Sequence, residues 1–386
     1  MEGVSLAKPR EVGLISMLKV QEVIVSTKNE EMKTRYMLLD SVGSPVIPVI
    51  KYLKYLDNCE KSTNTIKSYC YHLKLYFEFL MLRDKTYQDV SLDLLSDFIQ
   101  WLRTPYESLN VFPLQQIPAK RTERTINVII TCVISFYDYL MRSDLFSNEI
   151  VEKVTRKVSG SRRSFKSFLH HVNKSKPLDI NILKIKVPRR RVKTLTNTQI
   201  DFIKQACSNE RDRLLLLVLY EGGLRISEAL SLWIEDFDIG TNSIIVRKSK
   251  TPAGEGRKVY VTENTINLFQ DFLIEYHADD IDTNYVFFKL RGDNKGQPLD
   301  YPSTSSWVKR MKKKTGINFT PHLFRHSYAT ELQRNGASIK TIQELLGHRN
   351  VQTTMNLYLH PSDEDIRSEY EKAIKKKERT ELFDTE

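Results

Sequence analysis

Apolar residues recur at spacings of three and four through much of the chain, and from Val49 to about Arg142 they predict four helices. Ile50, Leu53 and Leu56 mark the first. Ile66, Tyr69, Leu73, Tyr76, Phe77 and Leu80 mark a second, opened by Ser62 or Thr63 as N-cap. Leu92, Leu95, Phe98, Ile99 and Leu102 mark a third, and Ile126, Ile129, Ile130, Val133, Phe136, Tyr137 and Leu140 a fourth. Four such stripes can bury one another in a compact helical domain. Ahead of them, Val20, Val23, Ile24 and Val25, then Tyr36, Met37, Leu38 and Leu39, flank a polar stretch from Lys28 to Glu31. That pattern predicts β structure, ended by Gly43, Pro45 and Pro48. Beyond Thr194, helices are expected over 198–206, 211–220, 226–232, 264–276, 301–314, 322–335, 339–346 and 351–358. A hairpin is expected from Ser243 to Arg247 and Lys258 to Val261, around Thr251 to Gly256. A last helix, from about Ser362 to Arg379, carries only the thin stripe Ile366, Tyr370, Ala373 and Ile374, which suits docking on another surface better than forming a core. No internal repeat is present. The fold class is therefore mainly α with small β-hairpins, α+β in its C-terminal part.

Composition narrows the function. The 386 residues are 40% hydrophobic and 28% charged, which excludes wholesale disorder and suffices for two or three domains. The longest apolar run, Leu214 to Tyr220, is far below the roughly 18 residues of a bilayer span, so no membrane helix is expected. The first residues show no apolar signal region, and a cytoplasmic protein is expected. Cys59, Cys70, Cys132 and Cys207 have neither metal-ligand nor disulfide-framework spacing and read as buried thiols; no metal and no cofactor are expected. The net charge of +11 points to a polyanionic partner. Between Lys153 and Lys193, fourteen basic residues, among them Arg162, Arg163, Arg189, Arg190, Arg191 and Lys193, stand against the single acid Asp179. Such a segment reads either as a solvated linker or as one that follows a DNA backbone.

Four segments concentrate Arg, His, Lys and Tyr: Gly222 to Leu230, Lys248 to Thr251, Pro321 to Thr330, and Leu346 to Asn350 leading to Asn356 to His360. His322 and Arg325 share a helix face, as do Arg225 and Glu228. Two arginine forks and a histidine can converge on one anion, and a planar, permanently charged fork matches phosphate oxygens. Gly222 and Gly223 allow a sharp turn into the helix presenting Arg225. Gly347 reads as the stop of a helix capped by Ser338.

In these segments the chain resembles the tyrosine recombinase (phage integrase) family: R-x-S-E from Arg225 to Glu228, a hairpin lysine at Lys250, H-x-x-R-H from His322 to His326, L-G-H ending at His348, and Tyr358 followed by x-H. The resemblance covers residues 194 to 361 and, more loosely, the helical part, where Ser62 to Ile66 and Tyr69 resemble the core-binding domain. It implies a two-domain DNA clamp: an N-terminal extension (1–45), a SAM-like helical core-binding domain (46–150), a basic linker (151–193), a catalytic domain (194–361) and a C-terminal helix or tail (362–386). It further implies that Tyr358 is the nucleophile on a DNA phosphate, leaving a 3′-phosphotyrosine. Arg225 and Arg325 would stabilise the transition state, Lys250 would protonate the leaving 5′-oxygen, His322 and His348 would complete the phosphate pocket, and Glu228 would hold Arg225. Lys248 and Lys258 share the hairpin with Lys250, and Tyr328 reads as packing. Lys67 and Tyr71 on the second helix, and the stretch from Lys309 to Lys314, are candidates for base reading.

The N-terminal extension and long linker look most like transposon-borne integrases acting as transposases, independent of metal and ATP. The expected partner is double-stranded DNA, bound by a homotetramer assembled from solution monomers in the cytoplasm or on the nucleoid. An accessory or partner recombinase from the same element stays open. Alternatives are a chromosomal resolvase-type recombinase, a type IB topoisomerase, and a catalytically silent DNA-binding accessory factor.

Overall fold

The computed structural model describes residues 18–26, 32–104, 119–143, 146, 150–158, 178–188, 193–277, 281–350, 354–355, 367, 370–371 and 374, with the backbone alone at 152–153, 155–158 and 178–181. The chain forms two compact units, Met1–Arg189 and Arg190–Glu386.

In the first unit, β1 (Lys19–Ser26) and β2 (Met32–Leu39) pair antiparallel, with Lys19 opposite Leu39 and Ser26 opposite Met32. Helices α1 (Ile47–Asn58), α2 (Thr63–Leu82), α3 (Leu92–Arg103) and α4 (Glu123–Arg142) follow. Their starts are set by side chains that accept an otherwise unpaired N–H: Ser62 from Thr65, Ser91 from Leu94 and Thr122 from Thr125. The buried phenols satisfy one another, Tyr76 pairing with Tyr137 at 2.8 Å and Tyr137 donating to the Tyr87 carbonyl at 2.8 Å.

The N-terminal strands share the core of the helices. Leu18, Tyr36 and Leu38 are buried in the same core as the helices, while Lys33 and Arg35 each reach Asp57 of α1 at 2.7 Å. A two-stranded hairpin is marginal alone and needs a surface for its apolar face. Described parts of the basic linker are likewise joined to this unit. In α5 (Ile150–Val154), Ile150 and Val154 enter that core. Strand β3 (Thr155–Val158) pairs antiparallel with β4 (Leu178–Asn181). Asn127 then clamps the backbone of Ile185, donating to its carbonyl and accepting from its N–H, both at 2.8 Å. Arg162, Arg163, Arg189, Arg190 and Arg191 lie outside the described residues.

The second unit comprises α6 (Asn197–Gln205), α7 (Glu210–Glu221), α8 (Ile226–Ala229), a three-stranded antiparallel sheet of β5 (Phe237–Asp238), β6 (Ser243–Val246) and β7 (Arg257–Tyr260), then α9 (Glu263–Tyr276), α10 (Tyr301–Thr315), α11 (Pro321–Arg334) and α12 (Ile339–Leu346). The expected hairpin is β6–β7; β5, two residues long, joins its edge. Helix α8 ends earlier than the pattern suggests. After Ala229 the backbone bonds tighten, Ser231 N–H to Glu228 and Leu232 N–H to Ala229, and the Ser231 hydroxyl also donates to the Glu228 carbonyl. The apolar run in α7 is core: Leu214, Leu215, Leu216, Val218 and Leu219 are all buried. Of the helix expected over 351–358, Thr354 and Met355 are described and helical; Tyr358 and Ile366 lie outside the described residues. Tyr370 and Ile374 are exposed.

One expectation is corrected: Cys70, Cys132 and Cys207 are buried, but Cys59, just past the end of α1, is exposed. Among the described residues no helix is long and apolar enough to cross a membrane.

Candidate active site

The site begins where α7 stops. Gly222 caps α7 and Gly223 takes φ +58°, a conformation that L side chains rarely adopt; a Cβ there would also lie 2.5 Å from the Tyr328 ring. The chain turns at once into α8 with Arg225 as the N-cap residue. Glu228, three residues on, folds back to accept from the Arg225 backbone N–H at 2.8 Å and from the Arg225 guanidinium at 2.6 Å. Its carboxylate is wholly buried and also accepts from the Ser249 hydroxyl and from Arg257 of β7, both at 2.7 Å. Arg325 arrives from α11, 1% exposed, with Nη1 3.7 Å from the same carboxylate. It donates to the Gly223 carbonyl at 2.7 Å and to the Leu346 carbonyl at the end of α12.

His322 lies in the first turn of α11, and its ring meets His326 edge-on at 4.4 Å between centroids. His348 follows Gly347, whose φ of +59° ends α12. The His348 ring is buried, with Nδ1 2.9 Å from the Thr354 hydroxyl, and its backbone is fixed in both directions by Gln343.

Three guanidinium groups thus share one carboxylate, which leaves the cluster with excess positive charge. Burial alone would raise Glu228, but the hydrogen bond and charge of Arg257, the Arg225 N–H and Ser249 bring it to about 2. Burial and the neighbouring Arg225 push Arg325 down to about 9. Burial, then Arg325 and Arg225, push His348 down to about 3. Burial, then His322 and Arg325, take His326 to about 4. His322 is exposed on its outer side, yet desolvation of its inner edge, with Arg325 and Arg225, lowers it as well. At neutral pH all three imidazoles are uncharged beside a cluster of excess positive charge.

Of the residues singled out in the sequence, Arg225, Glu228, His322, Arg325 and His348 therefore come together. Lys250 is exposed between β6 and β7, as is Lys248; Lys258 is engaged with Asp238 at 3.3 Å. Tyr328 packs on Gly223, and burial pushes its phenol up to about 12. Lys67 is exposed on α2 with its ammonium 5.4 Å from the Tyr36 ring, Tyr71 lies one turn further and is 48% exposed, and Lys193 is exposed. Lys314 donates to the Ala206 carbonyl at 2.6 Å, just past α6. Sequence reasoning missed Ser249 and Arg257. Ser249 sits beside Lys250 and is polar without a distinguishing pattern; Arg257 reaches partners 29 and 88 residues away, which no local spacing reveals.

The family model for the phage integrase family matches residues 193–365, and that for the phage integrase N-terminal SAM-like domain matches residues 49–144. Transposase A from transposon Tn554 of Staphylococcus aureus is 41% identical over 368 residues, covering 94% of this chain and 99% of that one. Tyrosine recombinase XerA of Pyrococcus horikoshii is 29% identical over 325 residues, covering 84% and 92%. Among solved structures, the Tn1549 transposon integrase in complex with circular intermediate DNA superposes with a TM-score of 0.57 at 18% identity, over 84% of this chain and 99% of that chain. A lambda integrase dimer bound to a core site does so with a TM-score of 0.55 at 15% identity, over 79% and 95%. The fold is theirs: a SAM-like helical domain followed by an integrase catalytic domain. The chain belongs to the phage integrase family and is a site-specific recombinase of the tyrosine class.

Proposed function

We propose that this recombinase integrates and excises a mobile DNA element, as a transposase, through a covalent phosphotyrosine. The observation that carries the reading is the buried cluster in which Arg225, Arg257 and Arg325 surround the single carboxylate of Glu228. Buried charge without a counter-charge is costly, so such a cluster favours an anion, and the forks of Arg225 and Arg325 match phosphate oxygens. In the proposed step the Tyr358 phenol oxygen bonds to the scissile phosphorus as the bond to the 5′-oxygen breaks. The phenol proton leaves with a nearby base, and Lys250 supplies a proton to the departing oxygen. Arg225 and Arg325 stabilise the charge on the non-bridging oxygens, and neutral His322 and His348 each offer one N–H to them. Rejoining runs the same steps backwards with a 5′-hydroxyl of the partner duplex. The phosphodiester energy is held in the phosphotyrosine and positive charge comes from guanidinium groups, so neither ATP nor a divalent cation is required.

The test is a covalent trap: supercoiled plasmid carrying the DNA that flanks this chain's own gene, protein, EDTA, then detergent. A protein-linked DNA from the parent and none from Tyr358→Phe is the expected result. Salt-sensitive binding without an adduct from either would favour a DNA-binding accessory factor. Strand exchange joins two duplexes and needs four active sites, so the protein is proposed to assemble as a tetramer on DNA. The exposed Tyr370 and Ile374 support a C-terminal docking segment. Removing the residues after His360 is expected to weaken synapsis more than single-site binding, measured by gel shift at one and two sites; equal losses would refute it.

A further inference from the structure

Arg257 opens β7 and is nearly buried, with its side chain 7% exposed. It spends every arm of its fork inside the protein. Nη2 holds the Glu228 carboxylate at 2.7 Å, Nε holds the Leu345 carbonyl at 2.9 Å, and Nη1 holds the Gly254 carbonyl at 2.7 Å. These three partners belong to three different parts of the site. Glu228 fixes Arg225. Leu345 is in the last turn of α12, three residues before His348. Gly254 is in the turn of the β6–β7 hairpin, four residues after Lys250.

The surfaces that Arg257 joins touch backbone to backbone. A Cβ on Gly347 would lie 2.7 Å from the Gly254 Cα and 3.1 Å from the Arg257 side chain, and Thr251 donates to the Gly347 carbonyl at 3.2 Å. Other contacts already fix much of the cluster: Arg225 has its own bonds to Glu228, and Arg325 is anchored on Gly223 and Leu346. The hairpin tip is tied to the Arg225–Glu228 pair through Ser249, which donates to Glu228 at 2.7 Å and accepts from Arg225 at 3.4 Å. Among the described residues, its hydrogen bonds towards the α12 end are the Thr251 bond and Arg257's grip on Gly254 and Leu345.

We propose that Arg257 is a positioning residue that seats the Lys250 hairpin against the α12 end and the Arg225–Glu228 pair, so that its loss impairs protonation of the leaving oxygen more than phosphate activation. The inference rests on the recombinase reading above. A fork is required for it, because an ammonium at this position can satisfy the carboxylate but cannot also span two carbonyls in different elements.

The experiment compares two leaving groups. The scissile phosphate is first mapped with the detergent trap on the duplex flanking the gene. Nicked duplexes are then made with either oxygen or sulfur bridging phosphorus to the 5′-carbon at that position. A departing thiolate needs no proton, whereas a departing alkoxide does. Full-length parent, Lys250→Ala, Arg257→Lys and Arg257→Gln are compared in single-turnover cleavage, with thermal melts to establish that each variant folds. The Arg257 variants are expected to lose tenfold or more on the oxygen duplex, to stay within about threefold of parent on the sulfur duplex, as Lys250→Ala does, and to add little to Lys250→Ala in the double variant. Equal losses on both duplexes, or parental rates on the oxygen duplex, overturn the proposal while leaving the recombinase reading intact. Should Arg257→Gln fail to fold, Arg257→Lys decides alone, since it keeps the charge beside Glu228. A parent that cleaves neither duplex overturns the recombinase reading and this proposal together.

Discussion

Glu228 and Arg325 lie 3.7 Å apart and burial penalises the charge of each, yet the neighbouring guanidinium groups act on the two charges oppositely. The acid is held strongly ionised, at about 2, and the base is pushed down to about 9. A simple ion pair would stabilise both charges. Three cations on one anion stabilise the anion and crowd the cations. The consequence for stability follows from the direction of the Glu228 shift. Its folded value lies below its ordinary 4.5, so the stabilisation is fully present above 4.5 and is lost as pH falls towards 2. In urea unfolding, Glu228→Gln is expected to be less stable than the parent at pH 7 by on the order of 3 kcal/mol. The gap should shrink by at least half at pH 3. A gap that ignores pH would mean that the carboxylate is not held by the guanidinium groups. Because loss of Glu228 also frees Arg225, the same variant is expected to lose covalent adduct at pH 7.

Helix ends carry the site, and two glycines with the same backbone twist show how their surroundings decide what they do. Gly316 ends α10 at φ +70° with nothing within 4 Å of the place a Cβ would occupy, while Gly347 ends α12 at φ +59° against Gly254 and Arg257. Gly316→Ala is expected to cost about 1–2 kcal/mol from the left-handed backbone alone and to leave the adduct intact. Gly347→Ala adds overpacking of about 1–3 kcal/mol and should reduce the adduct at least tenfold. Comparable adduct from the two variants would show that the hairpin and α12 need not touch. Gly347 as a helix stop was legible in the sequence, as were the Ser338 cap, a cap at Ser62 or Thr63 and the stripes of α1 to α4, because those features depend on neighbours within a turn. Arg225, His322 and Arg325 were legible from helix spacing as a cluster suited to an anion, and the family pattern added their roles and His348. What stayed illegible depends on distant packing. The β1–β2 hairpin belongs to the helical core because Tyr36 and Leu38 meet residues far along the chain, and Arg257 matters through carbonyls in other elements.

At the scale of the molecule, the two units keep separate interiors: one core is built from residues between Leu18 and Ile185, the others from residues between Leu195 and Leu346. The division falls between Arg189 and Arg190. All the grouped site residues lie after it, whereas Lys67 and Tyr71, the exposed candidates for base contact on α2, lie before it. Chemistry and a large share of the DNA affinity are therefore expected to be separable. A fragment of residues 190–386 should unfold in one cooperative thermal transition, since its apolar core is its own. It should bind the flanking duplex about 10²–10⁴-fold more weakly than the full chain, because two linked binding surfaces reinforce each other by effective concentration. Its affinity should also fall less steeply with salt, since fewer phosphates are neutralised and fewer counterions released. Raised to saturating concentration, the fragment should still form the detergent-resistant adduct at a rate near that of the full chain, because Arg225, Arg325, Glu228 and His348 are positioned by contacts within the unit. Gel shifts across a salt series and single-turnover trapping at saturation measure the two properties independently. A folded fragment that binds at saturation yet forms no adduct would mean that the helical unit contributes to the chemical step and not only to holding DNA.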